Sequence, residues 1–311
     1  MADRKSLTGL IRKNAIELGF DICGFARARA LTEAVPVLRE WCETGMNDKM
    51  EFLKRNIEGR MDPGTLWPEA VTVLVTGLNY YTRNRQKAED VPVISRYAYG
   101  KTYQEVIRKK LKELLKNIKT LQPGANGKIY CDTSALAEKR WAVEAGLGWQ
   151  GHHSIVINKE IGSFFFLGII LLNIELEYDK PLKGDLCGTC RRCIEDCPTS
   201  AINDNFTIDA RRCISNLTIE NRSPVAGEMV PLLEGRIYAC DRCQEVCPWN
   251  SRAREHNQPE FVISDEVAQM TRSDWASLDE EKYLSLFKGT PVGRVEFDRF
   301  RKNLDAILKN E

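Results

Sequence analysis

The sequence predicts an α+β protein made of an N-terminal α/β domain, a cysteine-rich metal-binding domain and a helical tail. Three observations support this. Amphipathic helices alternate with β-branched strands over the first 178 residues. Eight of the 11 cysteines lie between positions 187 and 247, and the sequence after 255 is polar with helical spacing. We therefore expect domains over 1–178, 179–255 and 256–311.

The pattern of apolar residues predicts the elements of the first domain in order. Proline, glycine and charge in YDKPLKGD (178–185) mark its end. The predicted helices cover 5–18, 31–56 (with Pro36 in the first turn and an interruption near Gly45), 101–119 and about 134–145. The predicted strands cover 21–26, 71–81, 127–133, 154–158 and 163–173, the last two joined by a turn near Gly162.

Composition favours a cytoplasmic, soluble protein. The 311 residues carry a net charge of +1, so global charge does not indicate nucleic acid. The most apolar stretch, 164–172, is too short to span a bilayer as a helix. The N-terminal residues have the charge spacing of an amphipathic helix rather than of a signal peptide.

The cysteines form two runs. The first is C-x-x-C-x-x-C-x-x-x-C-P from 187 to 198, which is the bacterial ferredoxin spacing. The second is C-x-x-C-x-x-x-C-P from 240 to 248, and Cys213 lies between the runs. Because the fourth cysteine of such a run ligates the other cluster, we expect two [4Fe–4S] clusters. Cluster one would take Cys187, Cys190, Cys193 and Cys247; cluster two would take Cys197, Cys213, Cys240 and Cys243.

Two zinc sites are the alternative, although zinc sites usually show two C-x-x-C pairs. Cys23, Cys42 and Cys131 are expected to be small buried apolar residues. Asp132 follows a predicted strand and precedes a predicted helix. Its carboxylate could cap that helix or lie at the mouth of a pocket, since strand ends commonly line sites.

Several long motifs follow one another in a characteristic order along nearly the whole chain. They are RYAYG (96–100), CDT (131–133), GLGWQG (146–151), GSFFFLG (162–168), CPTSAI (197–202), RCISNLTIE (212–220) and IYACDRCQEVCPWN (237–250). With these motifs the chain resembles the epoxyqueuosine reductases, which are cobalamin-dependent iron–sulfur enzymes of tRNA modification. The resemblance implies a nitroreductase-like catalytic domain that binds cobalamin and substrate, a ferredoxin-like two-cluster domain, and a tail packed on the catalytic domain.

The resemblance also implies an activity, the last step of queuosine biosynthesis. Epoxyqueuosine at the wobble position of tRNAs for Asp, Asn, His and Tyr is reduced to queuosine, with electrons passing through two [4Fe–4S] clusters to cobalamin. Asp132 matches the proton-donating carboxylate. An external donor such as flavodoxin or ferredoxin, a monomeric state and no membrane association are further expectations. The implied cobalamin contacts are Arg60, Tyr97, Asp132, Ser154 and Asp241.

Three positions depart from the family pattern. Gln104 replaces a His, which removes a titrating group. His152-His153 replaces Lys-Asn, giving either polar residues near the corrinoid or the surface, or an axial ligand to cobalt. Asn216 replaces a Tyr, which could change a contact to tRNA or cofactor. These departures leave open a corrinoid-dependent, reductive-dehalogenase-like reductase of a small molecule. A non-catalytic electron carrier is the third alternative.

The basic residues of the sequence are dispersed. They are either solvated or part of a phosphate-contacting surface around the site. They are Arg83, Arg85, Lys109, Lys110, Arg191, Arg192, Arg211, Arg212 and Arg222.

Overall fold

The computed structural model describes residues 3–132, 135–182 and 184–310. Its helices are α1 (Arg4–Glu17), α2 (Val35–Glu43), α3 (Ile57–Met61), α4 (Pro63–Leu66), α5 (Tyr103–Leu121), α6 (Glu138–Glu144), α7 (Arg192–Glu195), α8 (Ile214–Ile219), α9 (Arg242–Glu245), α10 (Asp265–Gln269), α11 (Arg272–Ala276), α12 (Glu280–Phe287) and α13 (Phe297–Asn310). Its strands are β1 (Ile22–Arg27), β2 (Thr72–Asn79), β3 (Val93–Ile94), β4 (Gly127–Tyr130), β5 (Trp149–Gln150), β6 (Val156–Ile157), β7 (Phe165–Leu172) and β8 (Arg236–Tyr238). Short 3₁₀ turns connect several of them.

The central sheet has four strands in the order β1-β2-β7-β4, and every pair in it is antiparallel. All eight residues of β2 are buried, because helices cover both faces of the sheet. Leu74 and Leu78 face the core shared with α1 and α5, whereas Val73 and Val75 face the core shared with α6. This is the period of two that a strand imposes on its side chains.

A second core forms around the C-terminal helices. It joins residues of α10 to α13 to the 91–99 segment and to residues 214–239. The parallel pairing of β3 with β8 ties the same segments together by backbone hydrogen bonds. The tail therefore packs on both earlier parts of the chain. No helix among the described residues combines the length and hydrophobicity needed to cross a membrane.

Most predicted elements are present, with two corrections. The helix predicted over 31–56 is interrupted near Gly45 as expected, but its α-helical part ends at Glu43 and a 3₁₀ turn (Glu51–Lys54) replaces its second half. The strands predicted over 154–158 and 163–173 are present with a turn near Gly162 between them; they lie in different sheets, since β6 pairs with β5 and β7 with β2 and β4. The helix predicted from about Ser134 begins at Glu138. Thr133, Ser134 and Lys183, which fall within predicted segments, lie outside the described residues.

Candidate functional site

The loop after β4 presents Asp132 in a conformation that non-glycine residues rarely adopt. Its φ is +60°, in the left-handed region. The side chain is exposed, and its Oδ2 accepts a hydrogen bond of 2.9 Å from Gln104 Nε2 on α5. The proposal that Asp132 caps the next helix is wrong, because the N-cap of α6 is Ala137 and no side chain caps it. The carboxylate is instead held at the opening between β4 and α5.

Aromatic residues line one side of Asp132. Burial, and then the neighbouring charge of Asp132, raise the pKa of Tyr103. The ring centroids of Tyr103 and Tyr97 are 6.3 Å apart, and those of Tyr97 and Tyr238 are 6.0 Å apart. Tyr97 therefore reaches the Asp132 region through Tyr103. Arg294, from the tail, brings a positive charge that interacts with Tyr238, Tyr97 and Asp132.

The first turn of α6 lies on the other side of Asp132. The Asp132 backbone N–H donates to Glu138 Oε1 at 2.6 Å. Burial raises the pKa of Glu138 to about 8; the Asp132 charge adds to the rise, whereas the hydrogen bond from Asp132 and the Arg108 charge oppose it. Glu138 is therefore largely protonated near neutral pH. A carboxyl group that keeps its proton lies directly beside the predicted acid.

Lys139, the next residue, connects this turn to Ser154 and to the cysteines. Its Nζ donates to the Ser154 carbonyl oxygen at 2.9 Å, and its charge interacts with Cys213. Protein atoms surround the ammonium group and lower its pKa, although the residue is accessible to solvent. Ser154 also has a left-handed backbone, with φ of +60°.

Arg60 lies near the same turn. Its carbonyl oxygen accepts a 2.9 Å hydrogen bond from the N–H of Ala137, the residue before α6. Its guanidinium lies 5.9 Å from the exposed Phe52 ring, and its Nε has no partner among the described residues. Arg60, Asp132 and Ser154 are therefore linked through the start of α6.

Asp241 is placed differently from the other predicted cofactor contacts. Its carboxylate accepts from Ser95 Oγ at 2.5 Å, from Arg96 N at 2.8 Å and from Arg96 Nη1 at 3.0 Å. The paired side chains of Arg96 and Asp241 are only 3% and 8% exposed. The Asp241 carboxylate thus ties the residues before Tyr97 to the second cysteine run.

The cysteines are grouped around two short helices that pack together, α7 and α9. Burial raises the pKa of Cys193 to about 11, and Cys247, Cys187 and Cys190 add to the rise. Burial likewise raises the pKa of Cys243 well above its usual value, and Cys240, Cys213, Cys193 and Cys197 add to the rise. The cysteines that interact with Cys193 all belong to the first predicted quartet, whereas those that interact with Cys243 are the rest of the second quartet together with Cys193.

The chemistry of these quartets fits a metal centre. Four thiolates in one place repel one another, and burial disfavours each charge further. A cationic centre reverses both effects, because thiolate ligands are deprotonated by the metal they bind. Cys23, Cys42 and Cys131 are buried outside the quartets, as predicted for small apolar residues.

The three departures from the family pattern have definite positions. Gln104 contacts Asp132, and its buried Oε1 has no partner among the described residues. His152 stacks on Phe206 with ring centroids 4.5 Å apart, while burial lowers the pKa of His153 to about 4. Asn216 is buried and donates to Asp48 Oδ2 at 2.7 Å, so its amide is engaged inside the protein.

The sequence reasoning overlooked Tyr103, Glu138, Lys139 and Arg294, which the structure places around Asp132 or Ser154. Several of the dispersed basic residues are already paired: Arg85 with Glu245, Arg191 with Asp204 and Arg211 with Asp209. Those three are solvated ion pairs rather than free phosphate ligands.

Two family models match the chain. Residues 186–250 match the "4Fe-4S double cluster binding domain", and residues 60–133 match "Epoxyqueuosine reductase QueG, DUF1730". The epoxyqueuosine reductase of Cyclobacterium marinum is 37% identical over 98% of this chain and 97% of its own length. That of Escherichia coli is 34% identical over 99% of this chain and 82% of its own length.

Solved structures of epoxyqueuosine reductases are also similar to this chain. The epoxyqueuosine reductase of Streptococcus thermophilus matches with a TM-score of 0.87 at 30% identity, over 97% of this chain and 80% of that one. The structure of an epoxyqueuosine reductase with an epoxyqueuosine-modified tRNA stem loop matches with a TM-score of 0.85 at 26% identity. The match covers 98% of this chain and 81% of that one. The Bacillus subtilis enzyme, solved with its catalytic aspartate loop swung out of the active site, matches with a TM-score of 0.87 at 25% identity. The match covers 98% of this chain and 81% of that one.

A catabolic reductive dehalogenase is similar in fold alone, at 16% identity and a TM-score of 0.50, over 99% of this chain and 38% of its own. The identity over the full chain and both family models therefore lead to one conclusion: this chain belongs to the epoxyqueuosine reductase family.

Proposed function

We propose that this protein reduces epoxyqueuosine in tRNA to queuosine, the last step of queuosine biosynthesis. The observation that carries the proposal is the placement of Asp132. Its exposed carboxylate lies beside Gln104 and Tyr103, and Lys139, which follows Glu138 on α6, interacts electrostatically with Cys213. A group that could donate a proton is therefore connected through α6 to the cysteine domain, in a chain that belongs to this family.

The eight clustered cysteines would hold two [4Fe–4S] clusters, which pass single electrons. Cluster one would use Cys187, Cys190, Cys193 and Cys247, and cluster two Cys197, Cys213, Cys240 and Cys243. Cluster two would be the nearer one to Asp132. Glu138 contacts Asp132, and the next residue, Lys139, interacts electrostatically with Cys213 of that cluster.

Cobalamin is the proposed cofactor of the site around Asp132. When bound, it supplies a cobalt centre that collects electrons singly and delivers them to a carbon–oxygen bond. A corrin carries many amide side chains, which need polar partners. Buried polar atoms that lack partners among the described residues support the fit: Arg60 Nε, Gln104 Oε1 and His153 Nε2. The proposed contacts are Arg60, Tyr97, Asp132 and Ser154. Asp241 would act indirectly, by fixing the segment that carries Tyr97.

The chain's own residues supply binding, orientation and protons. Converting the epoxide to the alkene breaks both carbon–oxygen bonds, consumes two electrons and two protons, and releases water. The Asp132 carboxyl group would protonate the departing oxygen, and Gln104 Nε2 would orient that group. General acid assistance of this kind contributes about 10²–10⁴-fold. The half-buried rings of Tyr97 and Tyr103 would provide apolar surface around the reacting carbons and exclude water, and the fully buried Tyr238 would pack against Tyr97.

The remaining expectations belong to the same proposal. The substrates are the tRNAs for Asp, Asn, His and Tyr, and the reductant is a flavodoxin or ferredoxin. The protein acts as a cytoplasmic monomer, its first domain is nitroreductase-like, and its helical tail packs on that catalytic domain. The reductive-dehalogenase-like and electron-carrier alternatives are not favoured by the family assignment.

The test compares wild type with Asp132→Asn and with Asp204→Asn, a change in an exposed ion pair. Anaerobic protein with cobalamin and a reductant is incubated with epoxyqueuosine-containing tRNA, and nucleosides are quantified by mass spectrometry. We expect Asp132→Asn to keep iron and cobalamin but to lose about 10²–10⁴-fold in rate, while Asp204→Asn matches wild type. Full activity in Asp132→Asn would remove Asp132 as the acid. No queuosine from the wild type would overturn the proposed reaction.

A further inference from the structure

We propose that Glu138 is a positioning residue for Asp132, which holds the Asp132 backbone in the left-handed conformation from which its carboxylate meets Gln104. The proposal rests on the proposed role of Asp132 as the proton donor. It adds a second carboxyl group, on a different element, whose task is to fix the first.

The geometry supports this role in two ways. A left-handed aspartate is costly and persists only when its surroundings hold it in place. The backbone N–H of Asp132 is the group that a rotation of this loop would move, and Glu138 Oε1 accepts its hydrogen bond at 2.6 Å. Glu138 begins α6, whose Trp141 and Ala142 are fully buried in the core. The acceptor is therefore anchored by rigid structure, while the residue that it holds is in a loop.

The surroundings of Glu138 determine its charge. Asp132 and Cys131 face it from the loop after β4, and Tyr103 and Arg108 face it from α5. Arg108 is the one positive charge in this set, and burial outweighs it, so the pKa of Glu138 rises to about 8. A protonated carboxyl group still accepts a hydrogen bond through its carbonyl oxygen. It also places no negative charge beside Asp132.

The sign of the pH effect follows from linkage. The folded arrangement favours protonated Glu138, whereas a solvated glutamate in an opened loop would lose its proton near its ordinary pKa. Rising pH therefore favours the open loop, by up to about tenfold per pH unit, between that ordinary pKa and a pH of about 8. Above that range both states are charged and the effect levels off.

The experiment uses the full-length protein with its iron and cobalamin, in wild-type form and as Glu138→Ala, Glu138→Gln and Glu144→Ala. Glu144 is on the same helix but pairs with Arg29 at the surface, so it is the matched control. Amide hydrogen exchange is followed in peptides covering 126–137, and kcat and KM are measured with epoxyqueuosine-containing tRNA. Iron content and cobalamin uptake report whether the fold and cofactor sites remain intact.

We expect Glu138→Ala to lose loop protection by at least about tenfold and kcat by about 100-fold, as for a misplaced catalytic group. KM, iron content and cobalamin uptake should stay within about twofold of wild type. The same should hold for the Glu144→Ala control. Glu138→Gln keeps a neutral acceptor, so it should retain protection and kcat. Its protection factor should not change between pH 6 and 8, whereas that of the wild type should fall.

Unchanged protection and kcat in Glu138→Ala would overturn the proposal. Loss of both in Glu138→Gln at neutral pH would also overturn it, because a negative charge would then be required. The exchange measurement does not depend on turnover. Failure of Asp132 as the acid would therefore appear as active Asp132→Asn, while the loop protection would still decide the role of Glu138.

Discussion

The buried pair between Arg96 and Asp241 gives a stability prediction with a defined magnitude. The change is Asp241→Asn, which keeps the shape and removes the charge. The Arg96 guanidinium is almost completely buried, and its Nη1 lies 3.0 Å from Asp241 Oδ2. Breaking a buried pair from one side costs about 3–5 kcal/mol, because it leaves an uncompensated charge.

The lower end of that range applies here. Glu245 Oε1 also lies 2.7 Å from Arg96 Nη1, so Arg96 keeps one partner in the variant. The side chain of Glu245 is 26% exposed. The expected loss is therefore about 3 kcal/mol. The unfolding entropy of about 2.1 cal/mol/K per residue gives about 0.65 kcal/mol/K for 311 residues, so Tm should fall by about 5 °C.

Thermal unfolding of anaerobically prepared protein, followed by far-UV circular dichroism, measures this shift. The matched control is Glu33→Gln, which removes the ion pair between Glu33 and Arg29 at the surface. The side chain of Arg29 is 45% exposed and that of Glu33 is 57% exposed. Exposed pairs contribute about 0–1 kcal/mol, so this control should change Tm by less than about 2 °C. Equal shifts in the two variants would refute the argument that burial makes the Arg96–Asp241 pair important.

Three further predictions concern the cofactors, the acid and the RNA. Cys213→Ala should lower iron from about eight to about four per chain by colorimetric assay, whereas Cys42→Ala, a buried cysteine outside the quartets, should keep all of it. Gln104→His should add a pH-dependent step in kcat near the ordinary His pKa of about 6.5, because the introduced imidazole would gain a positive charge beside the proposed acid as pH falls; a profile identical to wild type would contradict this. Raising salt from 50 to 200 mM should weaken tRNA binding by about tenfold in a filter assay, a modest effect because Arg85, Arg191 and Arg211 are already paired.

The sequence predicted the parts of this molecule that depend on local pattern. The strands β2 and β7 follow from runs rich in β-branched and apolar residues, and the double-cluster domain follows from the cysteine spacing. The start of α6 did not follow, because no capping side chain marks it. The pairing of β7 with β2 and β4 depends on the whole sheet, which no short window contains.

The contacts around Asp132 could not be predicted for a similar reason. Gln104 is 28 residues away in sequence and Arg294 belongs to the tail, so only the folded chain brings them near Asp132. Glu138 is only six residues away, but its role depends on the left-handed backbone of Asp132, which composition does not reveal. The carboxylate of Asp241 shows the opposite case: a motif suggested a cofactor contact, whereas the structure engages it with Arg96.

The first turn of α6 contacts two parts of the proposed site. Successive helical residues point in directions about 100° apart, so Glu138 and Lys139 face different neighbours from one rigid base. Glu138 meets the Asp132 loop, and Lys139 meets Ser154 and the charge of Cys213. Because Trp141 and Ala142 fix this helix in the core, neither contact can move far without disturbing the other. A substitution that shifts α6 as a whole should therefore impair proton donation and electron supply together, whereas Glu138→Ala should impair proton donation alone.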